Sequence, residues 1–146
     1  MIRLANKFDI GACVEMMRHY AAEAQIDVLA DAAAHDDDHV RELLISLIAG
    51  RGFVLIDDQQ RGMLAAIIQR NFWCPSVIEL HEVAWWVHPD HRHRSIGGRL
   101  FRSFNAQAQI LRDNGRVNVV FLSLLEQSPI KALPGYRRMD STFVKV

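Results

Sequence analysis

VHPDHRHRSIGGRLF, Val87 to Phe101, is the stretch on which the fold of this chain turns. It follows the apolar, aromatic run VIELHEVAWW and leads into a segment whose apolar residues have helical spacing. At the junction stand Arg92, Arg94 and Arg99, with Arg102 just beyond, His88, His91 and His93, one acid (Asp90) and the pair Gly97-Gly98. A helix N-terminus carries unpaired N–H groups and a partial positive charge. Glycine lets a backbone come close to a ligand, and arginine supplies paired donors. Together these describe an anion site at the start of a helix. The competing reading is a basic solvated turn whose glycines only allow tight packing. Neither the GK[ST] of a P-loop nor the GxGxxG of a dinucleotide fold is present.

Working outward, VIELHEVAWWV reads as a long strand. Strict alternation puts Glu79, His81, Val83, Trp85 and Val87 on one face and Ile78, Leu80, Glu82, Ala84 and Trp86 on the other. After the junction, Ile96, Leu100, Phe104, Ala108 and Leu111 line one side of a helix that Gly115 ends. FVLIDDQQRGMLAAII is a hairpin, two apolar runs around a polar turn. Before it, a helix from about Asp38 turns Val40, Leu43, Leu44, Leu47 and Ile48 inward and stops at Gly50. IRLA is a first short strand, and Asp9 caps a helix with Ile10, Cys13, Met17, Tyr20 and Ala24 on one side. Downstream, VNVVFLSLL is a buried strand, SPIKALPG a short helix or turn, and STFVKV a last strand. The order is β-α-α-β-β-β-α-β-α-β, which predicts one α/β sheet, mostly antiparallel at its start, covered by helices.

The 146 residues fit one domain, 1–146. Half are hydrophobic and 23% are charged, a globular balance. Formal net charge is zero, so no global field favours nucleic acid or an anionic membrane, and any electrostatic function is local. Cys13 and Cys74 stand apart with no CxxC, as reduced thiols of a cytoplasmic protein. MIRLANKFDIG lacks a signal-peptide core, and no run approaches the roughly 18 apolar residues of a membrane span.

The Val87–Phe101 stretch resembles the acyl-CoA-binding segment of the GNAT family, the Gcn5-related N-acetyltransferases. That segment reads V-x-P-x-x-R-G-x-G-I-G-x-x-L around a core Q/R-x-x-G-x-G/A. Val87, Pro89, Arg92, Ile96, Gly97 and Leu100 match, while His93 and Ser95 stand where glycines are usual. Ser95 is still small enough to leave backbone N–H groups free. The element order is similar throughout, and Pro134-Gly135-Tyr136 resembles the family's Gly-Phe near the C-terminus. The resemblance implies a single-domain GNAT-like sheet flanked by helices. It implies an acyltransferase that takes acetyl-CoA as its donor. In the family the pyrophosphate lies on this turn, and the pantetheine runs between two splayed strands. Carried over, Trp85, Trp86 and Val87 flank the acyl group and pantetheine through backbone contacts. The backbone of Arg92, His93, Arg94, Ser95, Ile96, Gly97 and Gly98 holds the pyrophosphate, with arginine side chains adding charge.

Amine acylation needs a base, donors for the tetrahedral oxyanion and a fate for the leaving thiolate. The family's usual glutamate base, six residues before the Val, falls here on His81, whose unperturbed pKa of about 6.5 suits the task. Glu79 shares its expected face and could orient it or act through water. Glu82 takes over if the strand carries a bulge. The family's acidic tyrosine falls on Lys131, and its asparagine on Leu124. Only Tyr20 and Tyr136 exist, and Tyr136 is expected to pack in the core. Ser123 and Ser128 are nearby hydroxyls, and a thiol pKa of about 8.5 lets the thiolate leave unaided. His91-x-His93 falls short of the four ligands of structural zinc, so no metal is expected.

Residues 23–38 hold Glu23, Asp27, Asp31, Asp36, Asp37 and Asp38 and no Lys or Arg. In the family this connection often walls the acceptor site, so an acidic wall would favour a polyamine, an aminoglycoside or a protein lysine. Acids before a helix also simply complement its dipole. The partners implied are acyl-CoA and a small-molecule or protein amine, with no nucleic acid and no membrane; a homodimer stays open. The alternative is a CoA-binding or protein-interaction module of the same fold without catalysis.

Overall fold

A computed structural model describes residues 1–23, 36–125 and 127–145. The acidic connection with Asp27 and Asp31 lies outside the described residues. Five strands, β1 (Ile2–Leu4), β2 (Gly52–Asp57), β3 (Gly62–Arg70), β4 (Ile78–Val87) and β5 (Val119–Phe121), form one sheet in the order β1-β2-β3-β4-β5. The first four pair antiparallel and β5 joins β4 in parallel. No helix among the described residues is long and apolar enough to cross a membrane.

Among the described residues three α-helices cover the sheet. α1 (Ile10–Ala22) and α2 (Asp37–Ser46) bury Ile10, Cys13, Val14, Met16 and Leu44 against Val54, Ile56, Met63, Ala65, Ala84 and Trp86. α3 (Ile96–Asp113) covers the other face with Ile96, Leu100, Phe104, Ala108 and Leu111, the five positions that its spacing predicts. Phe104 is fully buried beside Phe53, ring centroids 5.8 Å apart. Truncating such a residue to Ala typically costs about 3–5 kcal/mol. Gly50 closes the turn after α2 with φ of 120°, a conformation that glycine alone adopts freely.

Three expectations need correction. First, Asp9 makes no capping bond to α1. Its carboxylate accepts the Asn6 N–H at 2.8 Å and two bonds from Arg3 at 2.7 and 2.8 Å, which fixes a short 3-10 turn ahead of the helix. Second, the face assignment of β4 fails at a bulge. Ala65 pairs with Ala84 but Ala66 pairs with Glu82, so Val83 has no partner in the ladder. One extra residue reverses the alternation. Ala84 and Trp86 therefore pack with α1 and α2, while Leu80, Trp85 and Val87 pack with α3. Third, of the helix or turn expected at SPIKALPG the chain forms turns, and no last strand follows β5 among the described residues. Pro129, Pro134 and Gly135 interrupt any helical run there. In STFVKV, Phe143 is 92% and Val144 63% exposed, so nothing apolar is gained by pairing.

Candidate active site

The parallel pairing of β4 with β5 is short: Glu79 faces Val119, Leu80 faces Val120 and His81 faces Phe121. Beyond His81 the strands part. The next contact across the gap is a side chain, the Glu82 carboxylate accepting the Ser123 N–H at 3.2 Å. The bulge at Val83 sits where the splay begins. From that point, among the described residues, the β4 backbone has no strand on its β5 side.

His81 and Glu79 come together as expected. The His81 Nε2 lies 2.7 Å from Glu79 Oε2. Glu79 is buried, and hydrogen bonds from Asn71 and then His81 hold its carboxyl below the usual carboxylate range. An ionised carboxylate only accepts, so in the neutral ring Nε2 carries the proton and Nδ1 the lone pair. Nothing among the described residues bonds Nδ1. The imidazole also stacks on Phe121, centroids 4.6 Å apart and planes 18° apart. That face attracts a protonated ring. Glu82 has the opposite environment: burial pushes it up to about 7, against the one N–H that it accepts. Tyr20 on α1 is raised first by its own burial and further by the charge of Glu82.

At the other end of the splay α3 begins without a side-chain cap. Among the described residues the N–H groups of His93, Ser95, Ile96, Gly97 and Gly98 find no acceptor, whereas Arg92 and Arg94 donate theirs to Pro89 and His91. The open cradle is therefore narrower than the span from Arg92 to Gly98. A Cβ at Gly98 would meet nothing within 4 Å, and one at Gly97 only ordinary contacts with Val87 and Trp85. The glycines are not there for packing; they leave room above the helix terminus. An anion of phosphate type fits that opening.

The side chains flanking the cradle are committed elsewhere. Arg92, expected to add charge, donates Nε to the Val87 carbonyl at 2.9 Å and its Nη2 to both Glu23 oxygens at 2.7 and 2.5 Å. Burial would raise Glu23, but the bonds from Arg92 and Trp86 outweigh it and hold the carboxyl low. Trp86 donates Nε1 to Glu23 at 2.8 Å and stacks on His19. Trp85 stacks on Phe101, which Tyr136 also contacts. The Trp86 indole N–H is thus taken, whereas the Trp85 indole N–H finds no acceptor among the described residues and lies 3.9 Å from where a Gly97 Cβ would stand. Tyr136 packs as expected, its hydroxyl donating to Asn105 at 2.7 Å. Ser128 and Lys131 bond within their own turn. Asp36 caps α2 by accepting the His39 N–H, and Asp37 pairs with Arg18, so both serve the helix.

The chain matches no protein-family model and no curated protein. It is similar to solved structures along its whole length. A GNAT family acetyltransferase from Staphylococcus aureus has TM-score 0.61 at 14% identity, covering 99% of this chain and 96% of that one. The fold is that of the GNAT acetyltransferases. A ribosomal-protein-alanine N-acetyltransferase from Brucella melitensis gives TM-score 0.58 at 17% identity, covering 98% of this chain and 99% of that one. A predicted acetyltransferase with acetyl-CoA from Clostridium acetobutylicum gives 0.60 at 11%, covering 96% and 95%. Such identities carry the GNAT fold and not the reaction. Within that fold, Glu79, His81 and Glu82 were legible in the sequence, but Asn71, which bonds Glu79, and Phe121, which stacks on the imidazole, were not. Asn71 had a signal in the turn-forming run NFWCPS.

Proposed function

We propose that this protein is an acyl-CoA-dependent N-acyltransferase, moving an acetyl group from acetyl-CoA to an amine. The observation that carries the reading is the β4–β5 splay, which leads from the Glu79–His81 pair to an uncapped helix terminus with open glycines. The cradle suits the CoA pyrophosphate, and the free edge of β4 suits the amide-bearing pantetheine. The solved neighbour with acetyl-CoA supports the donor. The neighbours include a ribosomal-protein-alanine and an aminoglycoside acetyltransferase, so the fold does not select the acceptor.

In this reading His81 Nδ1 takes the proton of the acceptor's ammonium. The free amine attacks the thioester carbon and a C–N bond forms, the nitrogen gives its second proton to solvent, and the C–S bond breaks to release thiolate. Glu79 and the Phe121 face stabilise the imidazolium. The thiolate takes a proton from solvent, since a thiol pKa of about 8.5 makes it a tolerable leaving group. Glu82 is the second reading for the base, favoured by its place at the bulge and by a pKa near the working pH.

The test pairs calorimetry with amine-transfer assays. Wild type is expected to bind acetyl-CoA and CoA more tightly than pantetheine and to acylate a subset of amines. His81→Ala is expected to lower kcat on the order of 100-fold while the Kd for acetyl-CoA stays unchanged. Pantetheine binding as tightly as CoA would remove the pyrophosphate site. Tight acetyl-CoA binding with no transfer to any amine would leave a CoA-binding module.

A further inference from the structure

Asn71 opens the loop between β3 and β4, and its side chain works in two directions. Its Oδ1 accepts the N–H groups of Trp73 at 2.9 Å and Cys74 at 2.8 Å. Its Nδ2 donates to Glu79 Oε1. The orientation is set by chemistry: two backbone donors require the oxygen, and a carboxylate requires the NH2. Glu79 is then fully used, one oxygen on Asn71 and the other on His81. A carboxylate held at both oxygens cannot swing, and it presents a fixed acceptor to Nε2. Fixing which imidazole nitrogen carries the proton is what an orienting carboxylate does for a histidine base.

We propose that Asn71 is a positioning residue: through Glu79 it fixes the His81 ring with Nε2 protonated and Nδ1 free to accept a proton. The catalytic part of this inference rests on His81 being the base, but the tautomer part does not. Asn71 touches neither substrate nor reacting atoms and acts only through the carboxylate. The relay also ties the imidazole to the loop, because the same amide organises the backbone of Trp73 and Cys74.

Asn71→Asp is the informative variant. It keeps an oxygen for the two loop N–H groups, removes the donor toward Glu79 and sets one carboxylate against another. Nitrogen NMR of histidine-labelled protein at pH 8 reads the His81 tautomer without any substrate. Wild type is expected to show the Nε2–H form alone, and N71D a mixture. In acyl transfer N71D is expected to lose on the order of 10- to 100-fold in kcat, with KM for acetyl-CoA unchanged. The loss should deepen below pH 6, as Glu79 protonates at higher pH than before. Asn71→Ser, which also keeps an oxygen, provides a second variant without the added charge. A pure Nε2–H tautomer in both variants overturns the proposal. A mixed tautomer supports it even where wild type transfers to no amine; that outcome sinks only the base role of His81.

Discussion

Glu79 and Glu82 stand on one strand and are driven in opposite directions. Glu79 is held low by hydrogen bonds from Asn71, His81 and Gln69, while burial with one weak donor pushes Glu82 up to about 7. Under the proposed function, environments that separate two carboxylates give them different work: Glu79 orients His81, and Glu82 can exchange a proton at neutral pH. The second also has a stability consequence. An unfolded Glu titrates near 4.3, so between about pH 4.3 and 7 the folded chain keeps a proton that the unfolded chain has lost. Stability from this group therefore falls as pH rises through that window. Glu82→Gln removes the loss. Urea midpoints should show E82Q more stable than wild type at pH 8, by at most about 4 kcal/mol, and close to wild type at pH 4.5. The same gain at both pH values would show that Glu82 ionises freely.

At the scale of elements, the start of α3 trades stability for access. Glycine in a helix costs roughly 0.5–1 kcal/mol relative to Ala, and neither φ nor packing requires it at Gly98. Gly98→Ala should raise the melting temperature by a few degrees and weaken acetyl-CoA binding measured by calorimetry; tighter or unchanged binding would detach the glycines from ligand approach. These elements differ in how far the sequence exposes them. The inward stripe of α3 follows directly from its spacing. The hairpin of β2 and β3 is equally plain, since its polar turn separates two apolar runs. The bulge in β4 is not legible, because Val83 looks like any other strand residue and only the β3 register leaves it unpaired. Residue types thus brought out the Glu79–His81 pair, whereas the face on which each side chain lands depended on one extra residue. The Glu79–His81 pair lies before the bulge, so its shared face survived. Trp85 lies after it and changed sides.

Across the whole molecule, the hairpin turn is fastened to the site by one buried acid. Asp57 ends β2 with no exposed surface and accepts Arg61 Nε at 2.6 Å and Nη2 at 3.0 Å. The Arg61 carbonyl in turn accepts the His88 N–H at 2.8 Å, at the head of the turn that leads to α3. The far end of the sheet and the entrance to the cradle are thus joined through one side chain and one backbone bond. The Arg61 bond holds the Asp57 carboxyl below its ordinary value, as Arg3 does for Asp9. A carboxylate depressed on folding contributes stability above its unfolded pKa of about 3.9 and loses it as pH falls through the folded value. Asp57→Asn should therefore melt well below wild type at pH 7, and the gap should begin to narrow as pH falls below about 3.9 toward the depressed folded value. Asp9 keeps its own acid dependence, so the variant's remaining pH slope should be shallower rather than flat. Because Arg61 also anchors His88, acetyl-CoA affinity should fall in D57N below its melting range, a loss that calorimetry separates from unfolding. A gap that stays constant from pH 7 to pH 3 would mean that Asp57 acts by shape and hydrogen bonding, and not by its charge.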